Sequence, residues 1–118
     1  MISRNPPESR EHRRLIEAIV SAIRGLGHIG IQADHPLHPE KPDKVNGHEP
    51  DVLSYKNNVR HIFEAETCGS ISDSHTEEQW KAFDRADGRF VIVVPKRCAI
   101  DAERRRDELG INADVAHF

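Results

Sequence analysis

Two adjacent asparagines, flanked by alternating apolar and polar residues, constrain this chain more than any other feature. Asn57-Asn58 is typical of the two-residue turn that joins the strands of a β-hairpin. We therefore predict antiparallel strands over about residues 50–56 and 59–67. A turn at this position places Asp51 opposite Glu64.

The predicted hairpin gathers acidic side chains on one face. Because side chains alternate along a strand, Asp51, Glu64 and Glu66 point the same way. Like charges opposite each other destabilise a hairpin, so this arrangement favours a bound cation. Mg²⁺ and Mn²⁺ are the obvious candidates, since hard cations prefer carboxylate oxygens. The opposite face is apolar and carries Val52, Phe63 and Ala65.

Length and composition indicate one domain over residues 1–118, of the kind found in the cytoplasm. The chain has 118 residues and contains no apolar run of membrane-spanning length. Cys68 and Cys98 have no CxxC spacing, so we expect two reduced, partly buried thiols. The net charge of −3 argues against a strong non-specific grip on nucleic acid, although arginines cluster at residues 10–14 and 104–106.

The remaining segments predict an α/β architecture. Asn5 caps a helix that ends near Gly25, and a long, proline-rich loop covers residues 35–47. Ser74 opens a helix with capping-box spacing, and Asp101 caps a last helix. The predicted elements are helix 5–26, strand 28–34, the hairpin, helix 74–86, strand 90–94, helix 101–109 and a short edge strand within 111–118. We expect the strand at 90–94 to run parallel to a hairpin strand.

This order of elements, with an acidic site on the central hairpin, resembles the PD-(D/E)xK nuclease superfamily over about residues 8–95. The residues that carry the resemblance are Pro50-Asp51 and Glu64-Ala65-Glu66. The nearest likeness is to small Holliday-junction-resolvase and Mrr-like nucleases. The resemblance implies a restriction-endonuclease-like α-β-β-β-α-β core, in which helices flank a mixed central sheet.

The resemblance also implies roles for individual residues. Asp51 and Glu64 would bind Mg²⁺ or Mn²⁺ together with the backbone carbonyl of Ala65, and Gln79 in the following helix would support the site. Glu66 stands where the superfamily usually has a catalytic lysine. It would either accept a proton from the attacking water or bind a second metal. Some ExE members of the superfamily are active, and others have lost catalysis.

Other candidates near the motif have weaker support. Lys81 points away from the sheet, and Lys56 lies at the hairpin tip, so neither replaces the missing lysine. Glu17 lies far from the apolar stripe of the first helix, whereas Glu8 and His12 lie nearer to it. Histidines surround the long loop, but no HxxxH or CxxC spacing supports a histidine metal site.

These observations lead to a metal-dependent endonuclease acting on DNA, including branched DNA, as the first hypothesis. So small a chain has little surface for both recognition and catalysis, and we expect a homodimer. The second hypothesis is a catalytically inactive binding module of the same fold. The third is a regulatory protein that binds another protein through the apolar hairpin face.

Overall fold

The computed structural model describes residues 4–118, which form three α-helices and a five-stranded sheet. The helices are α1 (Pro6–Gly25), α2 (Ser74–Asp84) and α3 (Ala99–Leu109). The strands are β1 (Ile29–Ala33), β2 (Val52–Lys56), β3 (Val59–Ala65), β4 (Arg89–Val94) and β5 (Asp114–His117). Short 3-10 turns at Cys68–Ser70 and Lys96–Cys98 follow β3 and β4.

The sheet is mixed, and its spatial order follows the chain from β1 to β5. β1, β2 and β3 pair antiparallel, whereas β3 with β4 and β4 with β5 pair parallel. The prediction of a mixed α/β sheet flanked by helices is therefore confirmed. So is the prediction that the strand after the second helix runs parallel to a hairpin strand.

The hairpin turn forms where the asparagines predicted it. Asn57 and Asn58 have φ values of 52° and 63°, which is the left-handed conformation that a type I′ turn requires at both central positions. Leu53 pairs with Ile62 and Lys56 with Val59, so the predicted register is confirmed.

Helix α1 covers one face of the sheet. The Asn5 side chain accepts a hydrogen bond of 2.9 Å from the Glu8 amide, which confirms the predicted cap. The buried stripe of α1 packs on the apolar face of the hairpin and on β4. The members of this core are Leu15, Ile16, Ile19, Ile23, Ala33, Val52, Phe63, Ala65 and Val93.

Helices α2 and α3 cover the opposite face and complete three layers. Trp80 and Phe83 of α2 and Ala102 of α3 join Leu53 and Ile62 of the hairpin in this second core. Alternate residues of β4 reach the two faces, which is why its sequence is continuously apolar. Gly88 allows the tight entry into β4, because its φ is 111° and a Cβ there would collide with the Arg60 carbonyl.

Two predicted helix caps are wrong, by one residue at α2 and by three residues at α3. Asp73 caps α2 by accepting a 2.8 Å hydrogen bond from the His75 amide, so Ser74 is already the first helical residue. The 3-10 turn that follows β4 carries the chain directly into α3 at Ala99, so Asp101 lies inside the first turn of that helix.

The structure joins Cys68 and Cys98 in a disulfide, which corrects the expectation of two reduced thiols. Both cysteines follow the ends of neighbouring parallel strands, β3 and β4, and their Cα atoms are 5.7 Å apart. The 30-residue separation in sequence hides this proximity, because only the pairing of β3 with β4 creates it.

Candidate functional site

The acidic side chains of the hairpin meet at the end of the sheet where β2 begins and β3 ends. The Asp51 amide donates a 2.9 Å hydrogen bond to Glu64 Oε1, and the Ala65 amide donates a 2.8 Å bond to Asp51 Oδ2. Each carboxylate thus accepts a backbone N–H from the opposite segment of the hairpin. These reciprocal bonds hold Asp51 and Glu64 side by side, as the hairpin register predicts.

Glu66 lies just beyond β3 and is held by its own set of donors. Ser70 Oγ donates to Glu66 Oε1 over 2.7 Å, and Trp80 Nε1 donates to Oε2 over 3.1 Å. The Glu66 amide continues the parallel ladder by donating to the Val93 carbonyl. The side chain is therefore fixed by the 3-10 turn after β3 and by α2, and its residue is 0% exposed.

Burial controls the charge of these carboxyl groups. Loss of solvent raises the pKa of Glu64 well above its usual value, and the neighbouring Asp51 and Glu66 raise it further. Burial also raises the pKa of Glu66 to about 7, although the hydrogen bonds from Ser70 and Trp80 oppose this shift. A bound cation would favour the ionised forms of both groups.

Asp51, Glu64 and Glu66 together form what we call the acidic corner. The N-terminal end of α1 supplies further polar groups to it. His12 Nε2 lies 3.2 Å from Asp51 Oδ2, and the Thr67 hydroxyl donates to Glu8 Oε2 over 3.3 Å. Both α1 residues had weak support from sequence, and the structure brings them to the acidic corner.

Arg4, immediately before the helix cap, also reaches this corner. Its Nη2 lies 3.5 Å from Glu66 Oε1. Sequence reasoning missed this residue, because it precedes the first predicted element and only the path of α1 carries it to the site.

Trp80 is the α2 residue that contacts the acidic corner. Thr76, Trp80 and Phe83 form the buried stripe of this helix, and Gln79 is half-buried beside it. Gln79 was predicted to support the site, but Trp80 is the α2 side chain that bonds to Glu66. The signal for Trp80 was available in the sequence, since a buried indole N–H needs an acceptor.

The donor chemistry of the corner fits a hard divalent cation. Asp51 and Glu64 each keep one carboxylate oxygen outside their reciprocal backbone bonds. The Ala65 carbonyl points to the same side of β3 as its N–H, towards Asp51, because both groups of a strand residue face one neighbour. Among residues 4–118, no three His, Cys, Asp or Glu side chains converge tightly enough to enclose a metal as they stand.

A separate cavity of about 890 Å³ opens between α1, β1 and the loop around residues 35–40. His35 Nδ1 accepts the Leu37 amide at 3.1 Å, so Nε2 carries the proton and donates to Glu17 Oε1 at 2.8 Å. Glu17 is mostly exposed, as expected, and this bond ties it to the long loop. The cavity extends towards the C-terminal end of α1, whereas the acidic corner lies at its N-terminal end.

Comparison with protein-family models, with curated proteins and with solved structures found no match to this chain. Within the part of the chain that the structure describes, no helix combines the length and the apolar character needed to cross a membrane.

Proposed function

We propose that this protein is a metal-dependent endonuclease that hydrolyses phosphodiester bonds of DNA, built on a restriction-endonuclease-like core. The observation that carries the proposal is the reciprocal bonding of Asp51 and Glu64, with buried Glu66 beside them, at one end of a mixed sheet. The order of α1, β1, β2, β3, α2 and β4 is the order that this core has.

In this proposal Asp51, Glu64 and the Ala65 carbonyl hold Mg²⁺ or Mn²⁺. When bound, the metal supplies Lewis-acid polarisation of the phosphate and favours deprotonation of water. Glu66 accepts the proton of the attacking water, a role that suits a carboxylate whose pKa is about 7. The water oxygen forms a bond to phosphorus, the bond from phosphorus to the leaving oxygen breaks, and the leaving oxygen takes a proton from solvent.

Trp80 and Ser70 orient Glu66 rather than react. Their donors occupy both oxygens of its carboxylate, which fixes the plane of the group. Gln79 is proposed to contact a phosphate or a bound water from the half-buried edge of α2.

A cleavage assay tests the proposal directly. Wild type and Glu64→Gln are incubated with supercoiled, linear, single-stranded and four-way-junction DNA in Mg²⁺, Mn²⁺ or EDTA. We expect metal-dependent cleavage by wild type and a loss of about 100-fold or more in Glu64→Gln, because a metal ligand is removed. Glu78→Gln, on the exposed side of α2, is the matched control and should cleave like wild type. Equal cleavage by wild type and Glu64→Gln would contradict the proposal.

The second candidate is a binding module of the same fold without catalysis. It is favoured by the complete burial of Glu66 and by the donors that already satisfy both of its oxygens, since such a carboxylate also serves structure alone. A DNA mobility shift at low salt without cleavage in any metal would support this candidate. Absence of both the mobility shift and the cleavage would favour the third hypothesis, a regulatory protein that binds another protein.

We also propose that the protein acts as a homodimer, because two subunits would place one acidic corner on each strand of a DNA duplex. Sedimentation equilibrium with and without DNA checks this. A monomer that cuts both strands would contradict it.

A further inference from the structure

Arg4 lies beside the acidic corner, but the carboxylates there do not occupy all of its hydrogen-bond donors. Its side chain is 13% exposed, and its Nη2 lies 3.5 Å from Glu66 Oε1. A charge-assisted hydrogen bond between a guanidinium and a carboxylate is shorter, about 2.7–2.9 Å. The contact with Glu66 is therefore a charge contact rather than a well-formed hydrogen bond.

The Arg4 guanidinium also has donors to spare. Its Nε is buried and has no hydrogen-bond partner among the described residues. A buried donor without an acceptor is costly, and an acceptor that arrives with a ligand is one reason for keeping such a donor. A guanidinium offers a planar fork of donors, which matches two oxygens of one phosphate.

The two lysines considered from the sequence, Lys81 and Lys56, do not provide this charge. Lys81 Nζ is bound to Glu77 Oε2 at 2.8 Å on the outer side of α2. Lys56 is paired with Val59 next to the hairpin turn, at the opposite end of β2 from Asp51. Arg4 and His12 are the basic side chains that the structure pairs with the three carboxylates.

We propose that Arg4 binds the phosphate group of the DNA backbone at the cleavage position and supplies the positive charge that Glu66, in place of a lysine, cannot supply. This inference rests on the proposed function and adds a residue from outside the PD and ExE motifs. Arg4 binds two non-bridging phosphate oxygens and stabilises the negative charge that grows on them as the water attacks. Its contact with Glu66 keeps the guanidinium in place before DNA arrives.

The test compares Arg4→Gln with Arg10→Gln, which removes the same charge from an exposed position in the first turns of α1. The first readout is the affinity of a fluorescein-labelled DNA duplex in EDTA between 50 and 200 mM KCl, a range across which phosphate contacts dominate binding. We expect Arg4→Gln to reduce the salt slope of log affinity by about one relative to Arg10→Gln, because one phosphate contact is lost.

The second readout is cleavage in Mn²⁺ at saturating DNA. We expect kcat to fall by about 100-fold to 1,000-fold in Arg4→Gln, since a donor to the transition state is removed. Arg4→Lys keeps the charge without the planar fork, and its kcat should lie between those of wild type and Arg4→Gln. Urea unfolding of each variant separates these effects from a loss of folded protein.

The outcomes separate the two proposals. If wild type cleaves and Arg4→Gln matches Arg10→Gln in salt slope and kcat, Arg4 is a structural partner of Glu66 and the inference is overturned while the nuclease stands. If wild type does not cleave, the nuclease fails, and the salt slope alone decides whether Arg4 contacts phosphate.

Discussion

Glu66 combines a structural role with a proposed catalytic one: it is a buried hydrogen-bond acceptor, and its Oε1 lies 3.5 Å from Arg4 Nη2. Its oxygens are bound by Ser70 and Trp80, which a structural carboxylate requires. Its pKa of about 7 leaves part of the population ionised at neutral pH, as the proposed proton acceptor requires. Stability and proposed chemistry thus depend on the same proton.

Stability without metal should fall as the pH rises. The pKa of Glu66 is raised from 4.5 in the unfolded chain to about 7 in the folded one, so the folded state holds the proton more tightly. The free energy of unfolding should therefore decrease between those pH values, by up to about 3 kcal/mol from this group. The raised pKa of Glu64 acts in the same direction.

Urea unfolding in EDTA at pH 5, 6, 7 and 8 measures this decrease. Glu66→Gln should be less sensitive to pH than wild type, whereas Glu78→Gln, which changes an exposed carboxylate, should follow wild type. Mn²⁺ should restore stability at pH 8, where the carboxylates are ionised. An identical pH dependence in Glu66→Gln and wild type would show that the pKa of Glu66 is not raised in the folded state.

The β2–β3 hairpin is the element on which the acidic corner is built. Its turn sets the register, and the register alone decides that Asp51 meets Glu64, because a shift by one residue would send one of them to the other face. The acidic corner lies at the open end of the hairpin, so a change in the turn that shifts the register would separate Asp51 from Glu64.

Asn58 should tolerate glycine but not alanine. Its φ of 63° is accessible to glycine and asparagine, whereas a residue with an ordinary β-carbon loses about 1 kcal/mol or more there. We expect Asn58→Ala to lower the free energy of unfolding by about that amount and Asn58→Gly to stay within about 0.5 kcal/mol of wild type. Urea unfolding monitored by Trp80 fluorescence checks both. A neutral Asn58→Ala would mean that the turn adopts another conformation in solution.

On the scale of the whole molecule, the acidic corner is an assembly of distant segments. The start of α1, the hairpin, the 3-10 turn at Cys68–Ser70 and α2 all contribute side chains to it. The disulfide from Cys68 to Cys98 ties the 3-10 turn after β3 to the entrance of α3. This turn carries Ser70, which donates to Glu66, so the cross-link also braces the site.

Removing the disulfide should lower global stability. It closes a loop with a sequence separation of 30, and a loop of that length contributes about 3.5 kcal/mol through the entropy of the unfolded chain. We expect the double variant Cys68→Ser/Cys98→Ser to have a free energy of unfolding lower by that amount, and therefore to unfold at a lower urea concentration. Wild type in excess dithiothreitol should behave like the double variant. Wild type whose thiols react fully with Ellman's reagent before any reduction would contradict the cross-link.

Local patterns in the sequence determined the elements and part of the site. Asn57-Asn58 specified the turn, the alternation of side chains put Asp51 and Glu64 on one face, and Asn5 marked the start of α1. These features depend on residues close together in the chain, whose preferences for turns, caps and periodicity are local properties.

Tertiary structure decided everything that depends on long-range neighbours. The Cys68–Cys98 disulfide follows from the pairing of β3 with β4, the contact of Trp80 with Glu66 from the rotation of α2, and the arrival of Arg4 from the path of α1. Burial raises the pKa of Glu66 for the same reason, because several segments together exclude water from its carboxyl group. Spacing along the chain predicts which carboxylates share a face of the hairpin. The packing of separate elements sets the hydrogen-bond partners and the charge of those carboxylates.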